Sequence, residues 1–355
     1  MKTVLVTGGA GFVGSNLALR FKHFLGADTR VVSLDNLKRR GSELNLPRLK
    51  KGDVEFVHGD IRQIEDIRSV GAIDLILECS AEPSVIAGYG SSPDYLLQTN
   101  LQGTINCLEI ARMTGADFIF LSTSRVYPIR TISSLRYREN EKRFELEDGQ
   151  DVPGVSGNGF SEELGLTGVR SLYGATKLSS ELIIQEYIDM YGIRGLINRC
   201  AVLTGPWQMG KVDQGVVVLW VARHIFGGEL AYFGYGGSGK QVRDILHVDD
   251  LFNLLVKQYK NMDDHNGIVY NVGGGKSVSL SLLELTELCR QITGKEIPIK
   301  RVEETRVADI PYYITDNSKV TRATGWSPSI SREKIIEDIS RWINDNKSSL
   351  RDILT

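Results

Sequence analysis

Two side chains that could act together on a proton occur in the segment "SLYGATKLSSE", at Tyr173 and Lys177. On a helix, a spacing of four places both on one face. An ammonium beside a phenol favours the phenolate and lowers the tyrosine pKa from about 10 toward neutrality. A phenolate is a competent base for a hydroxyl whose carbon loses hydride. The spacing also occurs in ordinary surface pairs, so the catalytic interpretation depends on a cofactor site elsewhere.

A glycine-rich turn near the start of the chain provides that cofactor site. The segment "VTGGAGFVGSN" places Gly8, Gly11 and Gly14 directly after the first predicted strand, where the first predicted helix begins. The glycines permit a tight turn, an approach of backbone to a pyrophosphate and close packing of helix on strand. The first N–H groups of the helix, including those near Phe12 and Val13, then face the phosphates. The strand–turn–helix context favours a dinucleotide site over a plain tight turn.

The second predicted strand ends at Asp35, in the position of the acidic residue that binds the adenosine ribose. A carboxylate there repels a 2′-phosphate, so NAD is favoured over NADP. We assign Asn36 and Lys38 to the same cofactor site. Lys38, Arg39 and Arg40 could instead receive a 2′-phosphate, although a solvated basic turn is the simpler interpretation.

Apolar strands alternate with amphipathic helices over the first 125 residues, including the buried segment "FIFLSTS" that ends near Thr123. Such strands predict a parallel sheet covered on both faces, the doubly wound α/β or Rossmann fold. We expect an NAD-binding domain over residues 1–200, with the Tyr173 helix, and a smaller substrate-binding domain over 201–355 that returns some segments to the main sheet. "GLINRCAVLTGP" is predicted as one strand, and 130–170 as an excursion with little regular structure.

Composition excludes several other classes of protein. The 42 basic and 44 acidic side chains among 355 residues give no field suited to nucleic acid or an anionic membrane. No apolar run is long enough to span a bilayer, and the first residues form a strand pattern instead of a signal peptide. The four cysteines and five histidines lack ligand spacing, so we expect no metal and a reducing, cytoplasmic location.

Together, "TGGAGFVG", "LDN", "GDI", "NLQGT", "STSRVY" and "YGATK" resemble the extended short-chain dehydrogenase/reductase family, in particular its nucleotide-sugar epimerases and dehydratases. The resemblance implies that Thr123 hydrogen-bonds the reacting sugar oxygen, beside Tyr173 and Lys177. It implies further contacts to the cofactor from Asp60, Ile61, Ser80 and Asn100. Arg243 and Arg306 would hold the diphosphate of a sugar nucleotide, a task suited to the fixed fork of guanidinium.

The residues after Thr123 differ from those of some relatives. The 4,6-dehydratases have Asp and Glu there, for acid and base chemistry, and the sugar-acid decarboxylases keep the second carboxylate. This chain has Ser124 and Arg125. Threonine, tyrosine, lysine and NAD suffice to remove and return a hydride, which is all that an epimerase requires.

Several segments resemble the CDP-paratose/CDP-tyvelose 2-epimerase branch, among them "KVDQGVVVLWV", which contains the candidate substrate contact Gln214. The resemblance implies inversion at C2 of a CDP-hexose by a homodimer or homotetramer. A UDP-hexose 4-epimerase or related 4-oxidoreductase is the alternative, although Val202 replaces an asparagine usual in 4-epimerases. A non-enzymatic dinucleotide sensor would typically have lost the tyrosine or lysine.

Other positions depart from the family pattern near the expected nicotinamide. Glu78, Cys79 and Ser80 stand where relatives commonly have "HLA", and Pro128 replaces a glycine. We expect His247, ahead of Asp249, to order the start of a helix instead of transferring a proton.

Overall fold

The computed structural model describes residues 1–210 and 214–355 and divides the chain into two compact units. Unit 1 comprises Met1–Val126, Leu172–Arg199 and Phe252–Tyr270. Unit 2 comprises Tyr127–Ser171, Cys200–Leu251 and Asn271–Thr355.

The strands are numbered in chain order. They are β1 (Thr3–Thr7), β2 (Arg30–Asp35), β3 (Glu55–His58), β4 (Leu75–Glu78), β5 (Asp117–Thr123), β6 (Tyr137–Glu139), β7 (Phe144–Leu146), β8 (Val155–Ser156), β9 (Gly159–Phe160), β10 (Gly195–Cys200), β11 (Val202–Thr204), β12 (Leu230–Phe233), β13 (Val242–His247), β14 (Val269–Val272), β15 (Ser279–Ser281), β16 (Ile299–Val302) and β17 (Tyr312–Tyr313).

The helices follow the same order. They are α1 (Phe12–Leu25), α2 (Leu46–Lys51), α3 (Ile64–Arg68), α4 (Asp94–Leu97), α5 (Gly103–Thr114), α6 (Ile129–Ser133), α7 (Leu172–Tyr191), α8 (Val216–Phe226), α9 (Val248–Lys260), α10 (Met262–His265), α11 (Leu282–Thr293), α12 (Ser318–Thr324), α13 (Arg332–Asp345) and α14 (Lys347–Leu354). Within the described part of the chain, none combines the length and apolar character needed to cross a bilayer.

The main sheet has seven strands in the order β14-β10-β5-β4-β1-β2-β3. Strand β1 pairs in parallel with both β2 and β4, so the strand order reverses at β1. Leu5 and Val6, consecutive residues of β1 that point to opposite faces of the sheet, are both fully buried, as expected for strands covered by helices on both faces. This topology confirms the predicted doubly wound fold. The carboxyl ends of the parallel strands share one edge, where such folds bind ligands.

The single strand predicted over "GLINRCAVLTGP" is wrong. The segment forms β10 and β11, which are separated at Ala201 and belong to different sheets. Strand β10 joins the main sheet, whereas β11 pairs with β13 in a four-stranded sheet of unit 2. No turn or breaker residue stands between Cys200 and Val202, so the sequence carries no signal for this change of partner.

The excursion over 130–170 has more regular structure than predicted. It contains α6 and two antiparallel hairpins, β6–β7 and β8–β9. The Phe144 N–H donates to the Lys240 carbonyl at 2.9 Å, and the Arg143 guanidinium lies 2.7 Å from the Glu284 carboxylate. These contacts attach the excursion to the rest of unit 2.

The start of α9 confirms that His247 orders the first turn of a helix. The Asp249 N–H donates to His247 Nδ1 at 3.1 Å, so the imidazole satisfies one of the open N–H groups of the first turn. The ring is nearly fully buried, at 4% exposure.

A buried ion pair attaches α7 to the main sheet. Glu181 on α7 accepts hydrogen bonds from Arg199 on β10, at 2.7 Å from Nη2 and 3.0 Å from Nε. The hydroxyl of Ser122 on β5 donates to the same carboxylate. All three side chains are buried, so this contact fixes the position of the helix that carries Tyr173 and Lys177.

Removing one member of this pair leaves a buried charge without its partner. We expect Glu181→Gln to lower the free energy of unfolding of the protein by about 3–5 kcal/mol, measured by urea titration. Glu186→Gln, an exposed change on the same helix, should stay within about 0.5 kcal/mol of the unmodified protein. Equal effects of the two substitutions would show that the Glu181–Arg199 contact does not hold α7.

Candidate active site

The glycine turn has the close contacts that the sequence predicts. Gly8 has φ of 60°, and a Cβ there would lie 3.0 Å from the backbone of Cys79 and Ser80. A Cβ on Gly14 would lie 2.2 Å from the Gly8 carbonyl oxygen, which excludes any larger residue without displacement of α1. The Gly11 N–H donates to the same carbonyl at 3.0 Å and closes the turn.

The start of α1 fits the pyrophosphate of a dinucleotide. The helix begins at Phe12, and its cap residue Gly11 provides no side-chain hydrogen bond. The first turn contains no acidic residue. The first N–H groups, including those of Phe12 and Val13, therefore face outward with the positive end of the helix dipole, which suits an anion.

Asp35 lies beside this turn at the end of β2. Its carboxylate accepts hydrogen bonds from the Ala10 N–H at 3.1 Å and the Leu37 N–H at 2.8 Å. Burial raises the pKa of Asp35, and these N–H groups oppose that effect. The half-buried carboxylate is thus held against the glycine turn, with lone pairs left to accept from ribose hydroxyls.

A polar cluster adjoins the ends of β2 and β3. Asn36 donates to Asp60 at 2.8 Å, and Arg62 binds the same carboxylate at 2.7 Å. Burial acts against ionisation of Asp60, but the hydrogen bonds from Arg62 and Asn36 lower its pKa to about 2. The Tyr95 ring lies 3.2 Å from Lys38 Nζ, measured to the ring centroid. Sequence analysis missed Arg62 and Tyr95. Arg62 follows Asp60 by two residues, so its contact is local, whereas only the fold brings Tyr95 to Lys38.

Ile61 has its side chain in the core of unit 1. It is 4% exposed and packs where Gly103 leaves room, since a Cβ on Gly103 would lie 2.4 Å from Ile61 Cδ1. The Ile61 carbonyl accepts from Asn106 at 2.8 Å. A contact of Ile61 with adenine would therefore come from its backbone.

Asn100 lies in a π-helical turn over Gln98–Gln102, which precedes α5. Its amide nitrogen donates to the Glu82 carbonyl at 3.0 Å, and its amide oxygen accepts from the Glu82 N–H at 2.7 Å. The amide nitrogen also lies 3.4 Å from the Thr176 hydroxyl on α7. Asn100 thus joins the loop after β4 to the helix of Tyr173 and Lys177, and Ser80 lies in the same loop.

Thr123 is the last residue of β5, at the edge where parallel strands end. Its hydroxyl oxygen accepts from the Arg125 N–H at 3.2 Å, so its own proton can be donated to another oxygen. Tyr173 and Lys177 lie on one face of α7, within the same unit. The structure therefore provides a hydroxyl, a phenol and an ammonium on two packed elements of unit 1.

Lys177 is buried and contacts the end of β4 and the middle of β5. Its Nζ lies 4.1 Å from the centroid of the Phe120 ring on β5 and 3.6 Å from Glu78 Oε2 on β4. Glu78 has no exposed surface. Sequence analysis noted Glu78 only as a departure from the family pattern, because nothing local links it to Lys177.

Unit 2 contains the candidate substrate residues. Arg243 on β13 binds Asp309 at 2.8 Å and the Ile310 carbonyl at 2.6 Å. The Arg306 guanidinium lies 3.6 Å from the Phe233 ring centroid, and the Arg306 carbonyl accepts from the Asp309 N–H. Arg306 therefore begins a turn over residues 306–309, and Arg243 binds Asp309, which ends it.

Gln214 is half-buried and directly precedes Gly215, the residue before α8. Gln214 belongs to the segment "KVDQGVVVLWV", which the structure describes only in part. Residues 211–213, including Asp213, lie outside the described part of the chain.

The doubly wound sheet, the uncapped glycine turn and the Tyr173–Lys177 helix define a dinucleotide-dependent enzyme. Residues 4–273 match the NAD dependent epimerase/dehydratase family, and the chain belongs to that family. Its cofactor is NAD, which accepts and returns hydride when bound. The chain is an enzyme of the sugar-nucleotide epimerase and dehydratase kind.

Two curated relatives match nearly the whole chain. CDP-paratose 2-epimerase of Salmonella typhi is 31% identical over 346 residues, which cover 96% of this chain and 98% of that protein. The low-salt glycan biosynthesis protein Agl12 of Haloferax volcanii is 33% identical over 340 residues, which cover 94% and 96%. Among solved structures, UDP-glucose 4-epimerase of Thermotoga maritima has a TM-score of 0.76 at 26% identity, covering 97% of this chain and 99% of that one.

The close contact at Gly14 generates a test of the cofactor site. Gly14→Ala places a methyl group against the Gly8 carbonyl, and overpacking of this kind costs about 1–3 kcal/mol. We expect roughly tenfold or greater loss of NAD affinity, measured by calorimetry on protein freed of cofactor. Gly165→Ala is the control, because that glycine has open space around it. If both variants bind NAD like the unmodified protein, the turn does not need a bare backbone at Gly14.

Proposed function

We propose that the protein inverts C2 of a CDP-linked hexose of the paratose or tyvelose type. C2 is oxidised to a ketone, the sugar presents its other face, and hydride returns to C2. What carries this proposal is the combination of the Thr123, Tyr173 and Lys177 set with the 31% identity to CDP-paratose 2-epimerase over nearly the whole chain.

Tyr173 is the proposed base. Its phenolate takes the proton of the C2 hydroxyl as the carbon is oxidised, and the phenol returns that proton when the ketone is reduced. Lys177, one turn along α7, favours the phenolate through its positive charge. Thr123 donates a hydrogen bond to the reacting oxygen and orients it toward the phenol.

The proposed chemistry requires no further acid or base. Ser124 and Arg125 follow Thr123, in a short 3₁₀ turn after β5. Elimination of a sugar hydroxyl would need a proton donor for the leaving group and a base for a carbon-bound proton. Neither serine nor arginine supplies a carboxylate for these tasks.

Arg243 and Arg306 are the proposed ligands of the diphosphate. Arg243 keeps hydrogen bonds to Asp309 and Ile310, which hold its guanidinium in one orientation. Gln214, next to the start of α8, is the proposed contact to the sugar or its base. We propose the same residues of unit 1 as above for NAD: the glycine turn, Asp35, Asn36, Lys38, Asp60, Ile61, Ser80 and Asn100.

A UDP-hexose 4-epimerase is the second candidate. It is favoured by the 26% identity and shared fold with the enzyme of Thermotoga maritima. Val202, which begins β11, replaces the asparagine usual at this place in 4-epimerases, and this difference favours the first candidate.

The reaction can be tested directly with three substrates. Purified protein is incubated with CDP-paratose, CDP-glucose and UDP-glucose without added NAD, and the products are identified by NMR. We expect inversion at C2 of a CDP-sugar, because bound NAD is regenerated in each turnover. Substrates deuterated at C2 or C4 identify the carbon that exchanges hydride with the cofactor.

The Tyr173→Phe variant is the matched control, since it keeps the ring and loses the phenol. It should show no epimerisation while still binding NAD. Inversion at C4 of UDP-glucose would establish the second candidate instead. Turnover of none of these sugars by an NAD-loaded protein would contradict both candidates.

Thr123 can be tested separately. Thr123→Val keeps the shape of the side chain but removes the hydroxyl, so we expect kcat to fall by roughly 100-fold, as for loss of one transition-state donor. Thr123→Ser retains the hydroxyl and should stay within a few-fold of the unmodified enzyme. A fully active Thr123→Val enzyme would remove Thr123 from the mechanism.

A further inference from the structure

We propose that Glu78 is a positioning residue for the Tyr173–Lys177 pair: its carboxylate holds the Lys177 ammonium at the end of β4 and offsets part of its positive charge. This proposal rests on the role proposed above for Tyr173 and Lys177. In this proposal β4 adds a carboxylate to the hydroxyl of Thr123, the phenol of Tyr173 and the ammonium of Lys177.

The geometry places the two charges in a closed environment. Glu78 Oε2 lies 3.6 Å from Lys177 Nζ, and the two side chains are 0% and 3% exposed. Within the described residues, no donor meets either Glu78 oxygen at hydrogen-bonding distance and angle. Lys177 is the cation in contact with this fully buried carboxylate, and a charge in such a site needs a counter-charge.

The groups that face Glu78 come from several elements. Lys177 approaches from α7 and the Cys107 thiol from α5, while Thr7 of β1 and the Ser80 N–H border the carboxyl group. Burial raises the pKa of Glu78, and the charge of Lys177 is the largest effect that opposes it. Burial also raises the pKa of Cys107, and the negative charge of Glu78 adds to that effect. Lys177 is the one cation among these groups, so the carboxylate interacts chiefly with it.

This arrangement changes the expected acidity of Tyr173. A lone ammonium one helical turn away lowers the pKa of the phenol, whereas an adjacent carboxylate weakens that field. The opposing charge of Glu78 therefore keeps Tyr173 protonated to a higher pH. The same contact prevents Lys177 from adopting other rotamers, because a rotamer that moves away from Glu78 would leave both buried charges unpaired.

The test is a titration of Tyr173 in the NAD-loaded protein. Phenolate formation is followed by ultraviolet difference absorbance, with the signal of the Tyr173→Phe variant subtracted. Glu78→Gln keeps the shape of the side chain and removes its charge. We expect its Tyr173 titration to move to lower pH by roughly one unit, the size of a Coulomb effect over ~10 Å at an effective dielectric constant near 20.

Two controls separate charge from packing. Glu78→Asp keeps the negative charge and should leave the titration of Tyr173 close to that of the unmodified protein. Glu186→Gln removes one exposed negative charge from α7 and should not move the titration. If Glu78→Gln leaves the titration unchanged, or moves it to higher pH, the charge offset does not exist.

A second measurement covers the case in which Glu78→Gln folds but is too unstable for the absorbance titration. The double variant Glu78→Gln/Lys177→Gln contains no charge at this contact. We expect it to be more stable toward urea than the sum of the two single effects, because each single variant leaves one buried charge unpaired. Additive effects would overturn the pairing.

The absorbance and stability measurements use no sugar substrate, so they can succeed even if the proposed CDP-sugar reaction fails. With an active substrate, the acid limb of kcat/KM should move in the same direction as the Tyr173 titration. If the enzyme turns over but Glu78→Gln moves neither the Tyr173 titration nor the pH profile of kcat/KM, the role of Glu78 is rejected. The proposed function would then still hold.

Discussion

The burial of opposite charges on one face of α7 is the constraint on which the site depends. Lys177 and Glu181 are one turn apart and both about 2% exposed. Each needs a counter-charge in the protein interior, supplied by Glu78 on β4 and Arg199 on β10. Because an unpaired buried charge costs several kcal/mol, the two contacts together fix both the rotation of the helix and its position along the sheet. The orientation of Tyr173 follows from that placement.

The sequence predicted the elements whose signals are local. The strands β1 to β5 alternate with helices, and their apolar runs suffice to indicate a parallel sheet covered on both faces. The glycine turn is predictable because its spacing is local, and at Gly8 and Gly14 the structure leaves little room for a Cβ. The spacing of Tyr173 and Lys177 likewise depends only on helical geometry.

The features that were missed depend on partners distant in the chain. The break between β10 and β11 at Ala201 follows from the pairing of β11 with β13, and the hairpins of the excursion depend on contacts such as Arg143 with Glu284. The contacts of Asn100 with Glu82 and Thr176 depend on a π-helical turn, which apolar periodicity cannot indicate. The same holds for Glu78. Its neighbours in the sequence give no indication that it would face Lys177 in the core.

The class of reaction and the choice of substrate are therefore assigned to different kinds of residue. Hydride removal needs a few groups held rigidly on regular elements, and the groups proposed for it lie on β5 and α7 in unit 1. Recognition of the nucleotide and sugar is proposed for Arg243 on β13, and for Arg306 and Gln214 in the loops between the helices and strands of unit 2. Loops of this kind diverge readily while the scaffold persists. Relatives that share the fold can thus act on different sugars with the same few groups on the sheet and α7.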